Sequence, residues 1–538
     1  MSGSGENRAY LAWFVVITAA VIGALIRSHL LDVPLERDEG EYAYAAQLLL
    51  KGIPPYEFMH SLKLPGVFTA YALIMLAFGQ TAAGIHLGLL AVNFLSVVLM
   101  YLLSRKFLPP VPSALSASFF AVLSLSSSFL GLSANTEHFV VFFVIGGLLF
   151  LFRSVESRKT LLFFLCGLFF GFAFLMKQHA IIFTALPVSY VAILQLRERV
   201  YIRGELLRFS AMFFLGAALP FGLTALIFWV WGVFDKFFFW TFLYASKYVS
   251  RVDFPTGLQI LKSAIYQMKG SVLPLIAVSC AGLLFPPARR DSRNRFIFLW
   301  LFFIISALAV SPGFYFREHY FILLLPVLSM LFGVVVSRIM DGMEKLRIMM
   351  ADWVLICASF LFLAYPLFKD RTILFFSTPD EVSRTLYGAN PFPESAEIAR
   401  YIRNNSGPDD TIIVLGSEPQ IYFLSDRRSA TPYIYMYPIV EPHEYAKHMD
   451  VELRADIAQN RPSFLVYANI HRSWGISRGK MHVVTDWFSQ LELGDYELDG
   501  IVHIKPAGTE YKWGPQTEFD YNALNPYNNW LLVLKRTS

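Results

Sequence analysis

Four stretches of the chain set ionisable side chains at the borders of long apolar runs. The first opens as LERDEGEY at 35–42 and continues to His60 and Lys63, supplying Glu36, Arg37, Asp38, Glu39, Glu41, Glu57, His60 and Lys63. GLSANTEHF supplies Asn135, Glu137 and His138. FLMKQHA supplies Lys177, Gln178 and His179, and SPGFYFREHYF supplies Arg317, Glu318, His319 and Tyr320. Charges at membrane depth are costly and mark a lined cavity or pathway. Their chemistry is of two sorts. Carboxylates can take a proton from a hydroxyl or bind a divalent ion, whereas Lys63, Lys177 and Arg317 can hold a phosphate. A leaving phosphate needs compensating charge, and a general base must sit beside its nucleophile. Each residue also has a plainer use. Asp38 and Glu39 suit an interfacial border, Lys63 could snorkel, Glu137 could cap a helix, and Arg317 among aromatics could anchor at the interface.

The elements that must position these groups are helices in lipid. Of 538 residues, 56% are hydrophobic, 51 are Phe and 16% are charged. A soluble domain carries roughly a quarter charged residues. Apolar runs of near-spanning length recur from residue 10 to 368, and backbone groups in lipid must be satisfied within each segment, so the runs predict helices. About eleven spans are expected, at 10–30, 84–104, 111–131, 137–153, 161–176, 179–195, 208–231, 271–286, 295–311, 319–337 and 350–368. The run 11–26 lacks a cleavage pattern and reads as an anchor that stays. The apolar segment 65–79 is short for a crossing and is expected at the outer surface or re-entrant. Leaving it out places every basic cluster inside with a cytoplasmic amino terminus: Arg105 and Lys106; Arg153, Arg158 and Lys159; Arg197, Arg199, Arg203 and Arg208; Arg289, Arg290, Arg293 and Arg295; Arg338, Lys345 and Arg347. This distribution accounts for the net charge of +5 without nucleic acid. Cys166, Cys280 and Cys357 lie in apolar runs and are expected as buried thiols.

Two parts follow: a membrane part, 1–370, whose first outer loop is 31–83, and an extracytoplasmic part, 371–538. In the second, ESAEIARYIRNN reads as an amphipathic helix, and DDTIIVLG and RPSFLVYANI read as strands. It is long enough for a core of its own and is expected to be a small soluble α/β domain. It has no GxGxxG, P-loop or metal-spaced Cys or His pairs. The stretch AYAAQLLLKG at 43–52 is expected to lie at the interface, its Ala and Leu positions toward lipid.

The ordered set RDEGEYAYAAQLLLKG (37–52), HSLKLPGVFTAYALIMLAFG (60–79), SANTEHFVVFFVIGGLLFLF (133–152), GLFFGFAFLMKQHAIIF (167–183) and FYFREHYFILLLPVLSML (314–331) resembles the GT-C class of membrane glycosyltransferases. Within it, the resemblance is to the protein O-mannosyltransferase and lipid A aminoarabinose transferase superfamily. It covers roughly 10–370. It implies a polytopic helical GT-C protein of the cell inner membrane, with juxtamembrane helices on the outer face. It also implies an inverting hexosyl- or pentosyltransferase that moves sugar from a polyprenyl-phosphate donor to a hydroxyl of a lipid, glycan or protein. Asp38 matches the family's catalytic base, with Glu39 beside it. Lys63 is followed by Leu64 and Pro65 where the family has two prolines. Glu137 stands where aspartate is usual. Lys177 matches the basic residue ending the fifth span, and Arg317 falls where some members bind the carrier phosphate. His60, Glu137, His319 and Tyr320 are candidates for the donor or acceptor site. No cofactor is implied with certainty; a divalent metal is left open, with Glu137 and His60 as candidate ligands. A lipid-linked sugar flippase or transporter is the chief alternative, and an oligosaccharide ligase would share the donor chemistry.

Overall fold

The computed structural model describes residues 2–285, 293–348, 350–515 and 527–537. Among them, eight helices are long and apolar enough to cross a membrane: Glu6–His29, Ala82–Ser104, Thr136–Ser157, Gln178–Glu198, Arg203–Val230, Arg293–Val310, Glu318–Lys345 and Ala351–Lys369. Phe254–Met268 and Leu273–Leu284, bent by 102°, would make a ninth if they form one broken span. The protein is therefore a polytopic helical membrane protein with eight or nine such spans, and the expected eleven are not confirmed. The difference is one of length. The expected span 111–131 is realised as the 14-residue helix Pro110–Leu123 followed by a 3-10 turn at Ser127–Phe129, and 161–176 as the 17-residue helix Thr160–Met176. At 1.5 Å per residue these reach about 21 and about 26 Å, under the ~30 Å hydrocarbon core. The expected span 271–286 is the second limb of the bent pair; its last residue, like Arg289 and Arg290, lies outside the described residues. Gly66–Phe78 is a separate 13-residue apolar helix.

One end of the helical part gathers the basic connections. Lys106 pairs with Glu156 at 2.8 Å, Arg158 with Glu205 at 3.9 Å, and Arg8 with Glu344 and Asp352 at 2.8 Å each. The cysteines differ from expectation. Cys166 is buried, but Cys280 is half-buried and Cys357 is exposed, on the same outward flank of its helix as Val354 and Leu361. That flank meets no protein among the described residues and, on a membrane-spanning helix, it faces lipid.

The outer part is built on a sheet. The expected helix is Phe392–Asn404 and the two expected strands are β1 (Thr411–Leu415) and β3 (Phe464–Asn469), paired in parallel. With β2 (Arg428–Ser429), β4 (Tyr496–Lys505), β5 (Gly508–Trp513) and β6 (Asn529–Arg536), the described strands run in the order β2-β1-β3-β6-β4-β5. The β2-β1-β3 portion is parallel, and β6, β4 and β5 join antiparallel. Every residue of β3 is buried, as a strand covered on both faces requires.

Between the two parts lies the helix Arg37–Leu50, here called the site helix. It is buried from Glu39 to Leu48 without interruption. The expected lipid-facing stripe is thus a wedge within protein. On one flank Tyr42 meets Tyr71 edge-on at 5.4 Å. On the other, Tyr44 accepts a hydrogen bond from the Ser429 amide at 2.9 Å, and Gly40 is pressed on the outer domain. A Cβ at Gly40 would stand 2.6 Å from the Gln420 nitrogen, so only glycine allows this approach. Gly40→Ala should force the wedge off the outer domain at a cost of about 1–3 kcal/mol, as overpacking does. The checks are a lower melting temperature in detergent and faster proteolytic release of the outer domain; wild-type behaviour in both would show that the approach is not tight.

Candidate active site

The site helix sets out its carboxylates by its first turn. Glu36 is the N-cap, and a capping box forms as Glu39 donates its amide to the Glu36 carboxylate at 3.3 Å while Glu36 donates its own to Glu39 at 3.1 Å. This fixes the rotation of the turn and sends its acidic pair in different directions. Glu39 goes inward. It is 1% exposed, lies 3.0 Å from His86 Nε2 and accepts the Ala134 amide at 2.6 Å. It does not line the cavity. The capping box, His86 and the Ala134 amide take up its oxygens. Asp38 goes to the cavity. Lys63 Nζ donates to it at 3.2 Å and the Tyr435 hydroxyl at 3.3 Å. Burial works against its charged form, but Lys63, His319 and Arg317 outweigh burial and hold the carboxyl below the usual carboxylate range. Asp38 is therefore an ionised group beside a cation.

Lys63 is held from both sides. Tyr56 donates to its carbonyl at 2.6 Å, and its amide donates to Ser61 Oγ at 3.0 Å. Three residues on, Gly66 abuts the end of Thr160–Met176: a Cβ there would stand 2.5 Å from the Leu175 carbonyl oxygen. That contact brings the loop carrying Lys63 beside Lys177, the next residue after the helix.

Lys177 and Glu137 form an ion pair, with Glu137 fully buried and Lys177 12% exposed. Lys177 Nζ also stands 3.9 Å above the Tyr320 ring, and His319 Nε2 is 4.0 Å from Glu137. Arg317 is exposed to the cavity and donates to the Tyr248 hydroxyl at 3.3 Å. His60 stacks on Trp240 at 4.3 Å and meets Tyr433 edge-on at 4.7 Å. Burial, then Lys236, pushes its imidazole down to about 3, so it is neutral and offers no charge to a phosphate. The two residues considered for a divalent ion therefore belong to separate corners, Glu137 engaged by Lys177 and His60 among aromatics. Among the described residues no group of three His, Cys, Asp or Glu stands ready to hold a metal.

Asp38, His60, Lys63, Lys177, Arg317, His319 and Tyr320 all line one cavity of about 1500 Å³. Its far wall is the outer domain, with Tyr433, Tyr435, Tyr437 and Arg472. The segment 239–253 flanks it and is tied to the same domain by Arg251–Glu441 and by Lys247–Glu444 at 3.2 Å. Sequence reasoning did not single out Tyr435 or Tyr248, and it gave Arg37 no role. Nothing near Tyr435 in the chain points to Asp38, almost 400 positions away. Arg37 had a signal, an arginine beside the acidic residue; it turns to the outer domain and donates to Asn390 at 3.1 Å and Glu418 at 2.6 Å.

The pattern of the family described as dolichyl-phosphate-mannose-protein mannosyltransferase matches residues 63–228. ArnT from Cupriavidus metallidurans, solved bound to undecaprenyl phosphate, superposes with a TM-score of 0.55 at 14% identity, over 96% of this chain and 97% of that one. The chain has the GT-C fold. The archaeal oligosaccharyltransferase AglB from Archaeoglobus fulgidus, solved with an inhibitory peptide and a dolichol-phosphate, shares this GT-C architecture. Its TM-score is 0.53 at 14% identity, over 93% of this chain and 74% of that one. No curated protein matches in sequence.

The Glu137–Lys177 pair yields a direct test of how this GT-C cavity is held. Lys177→Met strands a buried carboxylate and should cost about 3–5 kcal/mol, whereas Lys177→Met with Glu137→Gln should recover much of it. Thermal unfolding of the two variants in detergent measures this. Equal destabilisation would mean the pair is not coupled.

Proposed function

We propose that the protein is a glycosyltransferase that moves a hexosyl or pentosyl group from a polyprenyl-phosphate carrier to an acceptor hydroxyl at the outer face of the cell inner membrane. The observation that carries this reading is the ionised Asp38 sharing a cavity with Lys63 and the exposed Arg317 at one end of an apolar helical bundle. The GT-C fold and the matched family pattern support the same reaction class.

The basic connections at the opposite end support an orientation with the amino terminus in the cytoplasm and the outer domain outside. Residues 1–370 would then be the transferring part and 371–538 the extracytoplasmic part that closes the cavity. The carrier's tail lies among the helices and its phosphate meets Arg317 and Lys63, with Lys177 behind them holding Glu137. Asp38 accepts the proton of the acceptor hydroxyl. The oxygen attacks the anomeric carbon, the carbon–phosphate oxygen bond breaks, and the carrier phosphate leaves with the electron pair. Attack opposite the leaving group inverts the anomeric configuration. Cations held in place by the protein stabilise the developing phosphate charge without reorganising. His319 and Tyr320 shape the wall around the donor.

Purified protein incubated with radiolabelled polyprenyl-phosphate sugars and a cell-envelope extract as acceptor should release carrier phosphate with one sugar of the panel. Asp38→Asn should keep the donor bound and lower release by about 10²–10⁴-fold, the usual weight of a general base. Normal release by Asp38→Asn would remove Asp38 as the base; donor bound but never cleaved, with every acceptor, would favour a flippase.

A further inference from the structure

Glu41 stands one turn beyond Asp38 and also lines the cavity, at 1% exposure. Its two oxygens are in unlike positions. Ser61 Oγ, which already accepts the Lys63 amide at 3.0 Å, donates its only proton to Glu41 Oε1. Oε2 is buried and has no hydrogen-bond partner among the described residues. A buried ionised carboxylate with one oxygen unmatched is costly. The arrangement suits a neutral carboxylic acid, Oε1 serving as the carbonyl and Oε2 carrying a proton, with the Tyr435 hydroxyl its nearest polar neighbour across the cavity. Asp38 faces Glu41 from the same helix, Lys63 from the loop and Tyr435 from the outer domain, with Tyr42 and Tyr56 also near. Burial pushes the Glu41 carboxyl up to about 7, Lys63 opposing and Asp38 adding to the rise. Beside Ser61, the ring of His60 lies on Trp240, and its Nδ1 is a second buried atom with no hydrogen-bond partner among the described residues. A stacked aromatic surface next to an unmatched donor suits a polar ring bearing hydroxyls, more than it suits a phosphate, for which Lys63 and Arg317 offer charge.

We propose that Glu41, Ser61 and the His60–Trp240 stack form the sugar-binding corner of the cavity, with protonated Glu41 donating a hydrogen bond to a hydroxyl or ring oxygen of the transferred sugar. This rests on the carrier-linked transfer proposed above. An ionised Glu41 offers no donor and adds a second negative charge beside Asp38, so recognition of the sugar weakens as pH rises through the Glu41 titration. Glutamine keeps a donor at this position at every pH.

The test compares binding of bare polyprenyl phosphate with polyprenyl-phosphate hexoses and pentoses in detergent between pH 6 and 8.5. Wild-type protein, Glu41→Gln and Glu41→Ala are used, and bare-carrier binding certifies the fold of each. Wild type should prefer one glycosylated carrier over the bare one by about five- to tenfold at pH 6, the worth of a single good hydrogen bond, and lose that margin by pH 8.5. Glu41→Gln should hold its preference across the range and Glu41→Ala should have none. A preference intact in Glu41→Ala, or one that falls with pH equally in Glu41→Gln, overturns the proposal. Wild type that binds bare carrier but gains nothing from any sugar overturns the corner alone and leaves the carrier reading standing. Failure to bind any carrier overturns both.

Discussion

The arrangement depends on one buried ion pair that joins the two halves of the chain. Glu418 of the outer domain has no exposed side-chain surface, and its cation, Arg37, comes from the first turn of the site helix. Ser473 and Gln420 donate to Glu418 as well, at 2.6 and 2.8 Å, and Arg37 also donates to the Ser417 carbonyl. A charge buried this completely must keep its partner, so the outer domain and the site helix are seated together. Asp38 is the next residue. Its direction into the cavity is set by the same turn that fixes Arg37 toward the domain, and the domain returns Tyr435 to the Asp38 carboxylate.

Two of the lysines are each set between a carboxylate and an aromatic ring. Lys63 lies between Asp38 and the Tyr42 ring, 5.4 Å below it, while Lys177 lies between Glu137 and Tyr320. Aromatic faces take up the side of each ammonium that the carboxylates leave open. Arg317 differs: its contacts are the Tyr248 hydroxyl and the Tyr315 ring, 5.8 Å from its guanidinium. It is the described cation of this group that an incoming anion reaches without first parting a salt bridge.

Much of this was legible because lipid is an unforgiving solvent. Charges bordering apolar runs stood out at Asp38, Lys63, Glu137, Lys177 and Arg317, and the structure gathers all of them. What could not be read was direction. Asp38 and Glu39 look alike in the chain, and only the capping box and His86 separate a cavity group from a buried brace. Tyr435 and Glu418 sit in an ordinary-looking soluble segment, and their role exists only through contact with residues almost 400 positions earlier. The expected spans and the long apolar helices differ where apolar composition continues past the helix: Pro110–Leu123 ends before 131, with the 126–127 turn bound by Asp370. Hydropathy records the solvent and not the hydrogen bonds that end a helix. The stretch 43–52 misled for a related reason, since alanine-rich segments suit tight burial in protein as well as lipid.

The fit of Gly40 against Gln420 has a consequence for how such proteins diverge. The site helix and the outer domain share a surface with no spare volume, so neither can change its side-chain size there without an answering change in the other. Drift at 37, 40 and 44 is tied to drift at 418, 420 and 429, whatever ligand selection favours. A chimera that exchanged the outer domain at its natural-looking border after residue 370 would cut through this pairing and separate Asp38 from the residues that aim it. The heritable module is the outer domain together with 31–83, although more than 280 residues of membrane helix lie between them in the chain.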